Sequence, residues 1–183
     1  LTLLPPEPGY FKKGFGAGVA GVKSNLYGAG ALAAHAVGAT GIEQAALAKS
    51  AEQSDIAAQQ TLPLDQINWG DPASILKYFK FYAGNAIPSL ALMAAGGIAG
   101  RGLGALAGRT AAAKYAGGLA GAVVPDVALE AGGIYPEALK TGVEDPALRS
   151  AVGGAAAGAV DFLAIPPAIR RLLPAEKLLE AGA

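Results

Sequence analysis

Residues 96–108 of this chain read GGIAGRGLGALAG, with a glycine at every fourth position: Gly96, Gly100, Gly104 and Gly108. Residues four apart share one face of a helix, so this spacing lines up four missing side chains in a groove. Such a groove lets another backbone approach closely, as small residues do where helices pair tightly. Each glycine costs a helix about 1 kcal/mol relative to alanine. The pattern therefore predicts helices that recover this cost by packing against one another.

The same spacing recurs along the chain and sets the expected fold. The further pairs are Gly14 and Gly18, Gly117 and Gly121, and Gly154 and Gly158. No sustained alternation of β-branched residues indicates a strand. We therefore predict an all-α fold, with Gly/Ala-rich helices in an irregular or elongated bundle and no sheet, in which these glycines mediate helix packing.

Breaks in composition divide the chain into predicted segments. These are an N-terminal Gly/Ala-rich helical hairpin over 1–60, a linker over 61–71, an apolar helical hairpin with the glycine ladder over 72–140, and a C-terminal helical segment over 141–183. Asp71 followed by Pro72 is typical of a helix start, because aspartate caps free N–H groups and proline suits the first helical position.

Prolines are expected to interrupt the helices. Proline lacks an N–H, and its ring clashes with the carbonyl four residues earlier. Pro88 is therefore predicted to kink its helix, and Pro125 and Pro136 to divide the stretch 111–140 into shorter pieces. Residues 168–179 are predicted to form a short terminal helix.

Composition restricts the possible functions. The chain of 183 residues is 52% hydrophobic and 15% charged, with a net charge of zero, whereas a typical soluble domain is about 25% charged. Without a long basic block, a phosphate-tracking nucleic-acid surface is not expected. There is no cysteine and one histidine, so neither a disulfide framework nor a histidine-based zinc site is predicted. Residues 1–8 are proline-rich and lack a charged n-region, so they are not expected to be a secretion signal.

One stretch has the length and composition of a membrane span. Residues 81–100 carry no charge, and 20 helical residues cross a bilayer core of about 30 Å. Aromatic residues and lysines precede it, as at a membrane interface. The predicted interface or anchor residues are Trp69, Lys77, Tyr78, Lys80, Phe81 and Tyr82. The same residues are equally typical of a helix-packing anchor, and both interpretations stay open.

Two glycine-rich fragments, 28–33 and 102–107, superficially match a dinucleotide fingerprint. That motif functions on a turn between a strand and a helix, and neither fragment follows a strand. Asp126 and Glu130 lie one helical turn apart, which indicates a solvated or helix-paired edge rather than an acid–base pair. No catalytic, cofactor-binding or metal-binding residue is predicted, and the chain is not expected to be an enzyme.

Two further side chains keep alternative interpretations. Asp161 follows a run of alanine and glycine and precedes an apolar run. It is a possible buried charge paired with an arginine, or a cap before Pro166. His35 lies on an alanine face, as a core or surface histidine or as a proton switch.

Three stretches carry a resemblance to a known family. They are GFGAGVAGVKSNLYGAGALAA at 14–34, ALEAGGIYPE at 128–137 and AVGGAAAGAVDFL at 151–163. They resemble segments of the large internal virion proteins of short-tailed bacteriophages, which are ejected with the genome and help build a conduit across the host envelope. The resemblance implies that these residues belong to a longer polypeptide, with any enzymatic domain elsewhere in it.

The expected function follows from that resemblance. It is a non-enzymatic structural segment that helps form or plug the conduit for genome delivery, stored in the capsid or portal–tail interior and then transferred to the host cell envelope. The implied partners are further copies of the chain, other portal, tail or ejection proteins, the host inner membrane, and passing DNA without sequence-specific binding. The alternatives are a tape-measure or internal scaffold segment retained in the tail lumen, a pore-forming membrane protein, and a fragment of a peptidoglycan-cleaving enzyme.

Overall fold

The computed structural model describes residues 9–107 and 111–164 of the chain. The chain is all-α, as predicted, and no strand occurs within those two ranges. The helices are α1 Tyr10–Ala36, α2 Thr40–Gln60, α3 Pro72–Ala107, α4 Ala111–Thr141 and α5 Pro146–Ala164. A short 3-10 turn, Leu64–Gln66, lies in the connection between α2 and α3. The helix predicted at 168–179 lies outside the described residues.

Helices α1 and α4 together connect the bundle. Helix α1 packs against α2, α3 and α4, and α4 packs in turn against α3 and α5. The buried positions of α1 are glycine, alanine and serine, so its neighbours approach it closely. Large buried side chains come from the other helices, chiefly Phe81 of α3 and Tyr135 of α4. The predicted N-terminal hairpin therefore shares its core with the predicted apolar hairpin.

Helix α3 begins as the sequence predicts. The carboxylate of Asp71 accepts hydrogen bonds from the backbone N–H groups of Ala73, at 3.0 Å, and Ser74, at 3.3 Å. Pro72 occupies the first helical position. This confirms Asp71 as an N-cap, which satisfies donors that have no partner inside the helix.

Glycines in the left-handed conformation end α1 and α4. Gly38 has φ +70° and Gly142 has φ +65°. At each end, the residue after the glycine donates to the carbonyl five residues earlier, as Val143 does to Ala138 at 3.3 Å. This is the Schellman arrangement, for which glycine is suited because it has no Cβ. These turns reverse the chain between α1 and α2 and between α4 and α5.

The prediction that Pro125 and Pro136 divide the stretch after residue 111 is wrong. Helix α4 runs unbroken from Ala111 to Thr141 with both prolines inside it. The carbonyls that these prolines leave without their usual donor belong to Gly121 and Gly132. A Cβ placed on a glycine of a neighbouring helix would collide with each of these two oxygens. The Cα–H of that glycine therefore faces the oxygen, as a weak C–H···O contact requires, and packing compensates for the lost hydrogen bond.

Candidate functional site

Glycines mark the crossing of α1 and α3. A Cβ on Gly14 would collide with the carbonyl oxygen of Phe81, and a Cβ on Gly18 with that of Asn85. A step of four residues along α1 is matched by a step of four residues in the same direction along α3, so the two helices are parallel here. From the other side, Gly84 lies against the backbone of Phe11 and Phe15. At these three glycines, the backbone of α1 therefore contacts the backbone of α3 with no side chain between them.

A second close crossing joins α1 and α4. A Cβ on Gly28 would overlap the carbonyl oxygen of Gly132, and a Cβ on Gly132 would overlap the carbonyl oxygen of Asn25. The contact is thus reciprocal, with a glycine on both helices. Neither Gly28 nor Gly132 belongs to the set predicted from the sequence, because no glycine lies four residues from either.

The predicted glycines of the later helices lie at further crossings. A Cβ on Gly154 would come 2.5 Å from the backbone nitrogen of Ala131, and one on Gly158 would come 2.9 Å from Cγ2 of Val127. Gly96 faces the carbonyl of Gly121, and Gly117 is half-buried.

The far end of the glycine ladder is not described in the same detail. Gly100 and Gly104 belong to α3, but their surroundings lie outside the described part of the structure, as does Gly108 entirely. Asp161 belongs to α5, and its side chain also lies outside the described part. The packing role of these glycines and the buried charge at Asp161 stay predictions.

Helix α3 carries large apolar side chains that the described bundle covers only in part, from Tyr82 at 38% exposed to Leu106 at 86%. Its Pro72–Ala99 portion is long and apolar enough to cross a membrane, on length and composition alone, and 17% of its most apolar stretch is buried. No other helix in the described residues passes that criterion. A core helix of comparable hydropathy would be mostly buried. The exposed large apolar side chains are Ile75, Leu76, Phe79, Tyr82, Ile87, Leu90, Ile98 and Leu106; together they are called the α3 face below.

The predicted interface or anchor residues separate into two groups. Tyr78 and Phe81 are buried in the bundle, and the Tyr78 hydroxyl donates to the carbonyl of Pro63, which holds the connection between α2 and α3. Trp69 is 72% exposed and Tyr82 is 38% exposed. Lys77 and Lys80 are also not buried. The packing-anchor interpretation therefore describes two of these residues, and the others remain accessible.

A polar cluster ties the turn between α1 and α2 to α4. The hydroxyl of Tyr135, a residue with no exposed surface, donates to Oε1 of Glu43 at 2.5 Å. Nδ1 of His35 lies 3.1 Å from the same oxygen, and the rings of His35 and Tyr135 are 5.9 Å apart. The Tyr135 hydrogen bond, and then His35, hold the pKa of Glu43 below its ordinary value. Burial and the bond to Glu43 raise the pKa of Tyr135.

The sequence reasoning missed this cluster. Glu43 lies on a helix rich in charged and amide residues, which gives no sign that its side chain is only 13% exposed. Of the two alternatives for Asp126, its burial, with 6% exposed, contradicts the solvated edge and leaves the helix-paired edge. Helix α5 covers that side of α4, and Gly158 leaves room beside the Asp126 carboxylate.

A cleft of about 310 Å³ with mixed polar and apolar lining opens between α1, α2 and α4. Ser24 of α1 donates to the carbonyl of Ser50 in α2 at 2.9 Å, which fixes one wall. Glu137 and Lys140 of α4 line the opposite wall and pair with each other at 2.7 Å. No group of three or more potential metal ligands occurs in residues 9–107 and 111–164 with described side chains.

No family model, curated protein or solved structure matches this chain. Among the described residues, the α3 face is an apolar surface that the packing of the bundle does not account for.

Proposed function

We propose that this chain is a non-enzymatic structural segment of a bacteriophage DNA-ejection protein. In this proposal it is carried inside the virion, enters the host envelope with the genome, and helps form or plug the delivery conduit. The observation that carries the proposal is the α3 face, which belongs to a helix with a charge-free run of membrane length, residues 81–100, and is partly to largely exposed. Exposed apolar area of this kind is typical of membrane or protein interaction sites.

The contacts between the helices of the bundle can form both in water and in a lipid bilayer. Backbone approach at glycines depends on van der Waals packing and weak C–H···O contacts, which persist where the hydrophobic effect between helices is absent. The crossings at Gly14 and Gly28 are of this kind. A bundle held this way can keep its helix pairing while the α3 face contacts lipid.

The resemblance of 14–34, 128–137 and 151–163 to internal virion proteins supports the same assignment. It also supplies the proposed partners: further copies of the chain, and portal, tail or other ejection proteins. Small side chains and the absence of cysteine favour a chain that unfolds and refolds readily, as passage through a narrow portal requires.

The test follows the chain during infection. An epitope is inserted at the exposed α4–α5 turn, beside Gly142, in particles that carry the chain. We expect the epitope to leave the particle and to appear in the host envelope fraction, protected from added protease. An epitope that stays in the emptied particle would instead identify a tape-measure or scaffold segment. Leakage of vesicles by a chain that never associates with particles would identify a pore-forming protein.

A matched pair of variants tests whether the α3 face is responsible. Leu90→Asp and Ile98→Asp place charges on the α3 face, whereas Ala48→Asp and Ala58→Asp place them on exposed positions of α2. We expect only the first pair to abolish recovery in the envelope fraction, with particle assembly unchanged in both. Equal recovery of both pairs would contradict a membrane role for the α3 face.

A further inference from the structure

The net charge of the chain is zero, but several of its positive charges are concentrated in one region of the structure. Lys12 and Lys13 lie at the start of α1, and Lys77 and Lys80 lie in the first turns of α3. The close crossing at Gly14 brings these two helix ends side by side, and Nζ of Lys77 lies 5.5 Å from the centre of the Tyr10 ring. Four lysines from distant parts of the sequence thus gather at one end of the bundle.

These lysines have no described counter-ions. The ion pairs between described side chains involve Lys49 with Glu52, Lys140 with Glu137, and His35 with Glu43. Asp65 and Asp71 are the acidic residues of the adjoining connection, and the Asp71 carboxylate is already bound to the start of α3. Among the described residues, these four lysines outnumber the two carboxylates of the adjoining connection, so an excess of positive charge is available to an external anion.

Exposed aromatic side chains lie on the same two helix starts and on the connection before α3. Phe11 is 46% exposed and Phe15 42%, while Phe79 and Trp69 are about 70% exposed. We define the basic–aromatic end as Phe11, Lys12, Lys13, Phe15, Trp69, Lys77, Phe79 and Lys80. Aromatic rings with lysines are the side chains that occupy the headgroup level of a bilayer, where the rings enter the acyl boundary and the ammonium groups reach phosphates.

The position of this surface favours lipid over nucleic acid. The charge-free run of α3 begins at Phe81, directly after Lys80. If that run lies in the hydrocarbon core, the basic–aromatic end lies at the level of the phosphates. A DNA-binding protein neutralises many successive phosphates of the polymer. Four lysines at one end of a chain without net charge would contact only a few of them.

We propose that the basic–aromatic end binds the phosphate headgroups of anionic phospholipids. This inference rests on the proposed membrane role of the chain and goes beyond it, because it assigns lipid selectivity and an orientation. The surface facing the leaflet is the start of α1 and α3.

Vesicle binding by the 183-residue chain tests the proposal. Sedimentation is compared for vesicles of phosphatidylcholine alone and of phosphatidylcholine mixed with phosphatidylglycerol, at low and high salt. The variant Lys12→Gln/Lys13→Gln/Lys77→Gln/Lys80→Gln is compared with Lys23→Gln/Lys49→Gln/Lys140→Gln/Arg149→Gln, which removes equal charge elsewhere. Each lysine near an anionic surface contributes about fivefold in affinity, so we expect a loss of roughly several hundredfold in the first variant and a much smaller loss in the second.

The outcomes separate this inference from the proposed function. Equal, salt-insensitive binding to both vesicle types would overturn the lipid selectivity while leaving a membrane role through the α3 face. Binding to neither type would overturn both. Salt-sensitive binding to single-stranded DNA that needs the four lysines, without selectivity for anionic vesicles, would assign the surface to nucleic acid instead. If circular dichroism shows the fourfold variant to be unfolded, the salt dependence of wild-type binding to the anionic vesicles decides the question.

Discussion

Gly28 and Gly132 bring the backbones of α1 and α4 together with no side chain between them. A methyl group at either position would overlap a carbonyl oxygen of the opposite helix, and backbone atoms cannot rotate away as the end of a flexible side chain can. The two residues therefore determine how closely the helices approach. Gly30, two residues further along α1, has nothing within reach of an added Cβ.

This contrast gives a stability prediction. We expect Gly28→Ala to destabilise the chain by about 3 kcal/mol, as overpacking does, and Gly30→Ala to stabilise it by up to about 1 kcal/mol through helix propensity. Urea unfolding followed by circular dichroism measures both. Similar effects of the two substitutions would contradict the close crossing.

Glu43 gives a prediction of pH dependence. The Tyr135 bond lowers the folded-state pKa of Glu43. Its stabilisation is therefore complete above the pKa of the unfolded chain and is lost as pH falls through the folded-state pKa. We expect Tyr135→Phe to cost about 2 kcal/mol near neutral pH, as loss of a hydrogen bond to a charged group does.

The cost of Tyr135→Phe should diminish as acid protonates Glu43, and urea unfolding at a series of pH values measures it. Tyr82→Phe, at a partly exposed ring, serves as the control and should show no such trend. A cost for Tyr135→Phe that is constant from neutral to acidic pH would contradict the assigned role of the bond.

Among the elements, α2 is held differently from the rest. Ser50 is its one buried residue, whereas α1 buries a full face. Its attachment relies on polar contacts, namely the Ser24–Ser50 bond and the link from Glu43 to Tyr135. Elements with few buried contacts open at lower free energy than the core.

We therefore expect α2 to exchange its amide hydrogens faster than the middle of α1. Hydrogen–deuterium exchange resolved by peptide measures this, with the glycine-packed stretch of α1 around Gly18 as the internal reference. Equal protection of both helices would show that α2 belongs to the same cooperative unit as α1.

The start of α3 was predictable because local chemistry sets it: the Asp71 cap is readable from neighbouring residues. The continuity of α4 was not predicted, although its signal is present in the sequence. Each proline inside a described helix follows a glycine by four residues, as Gly84 precedes Pro88. The expectation that proline breaks a helix considers that helix alone, whereas for Pro125 and Pro136 the compensating contact comes from another helix.

For the molecule as a whole, features that depend on composition and local spacing are predictable from the sequence. Contacts between residues far apart in the sequence are not. An all-α bundle and a membrane-length α3 follow from glycine spacing and the absence of charge. The link between Glu43 and Tyr135 spans 92 positions, and the lysines at the starts of α1 and α3 meet only through the crossing at Gly14. Neither arrangement has a sequence signal, because both depend on which helices become neighbours.

The reciprocal contact between Gly28 and Gly132 also constrains how this chain can evolve. Glycine is the smallest residue, so every substitution of it adds volume. A steric clash caused by a substitution at one of the two sites therefore cannot be relieved by a substitution at the other. In an ordinary core pair, an enlarged side chain can be accommodated by a smaller one opposite. Here the opposite residue, Gly132, has no side chain that could become smaller. Mutations that suppress a change at Gly28 should therefore occur at residues that shift a helix backbone and not at Gly132.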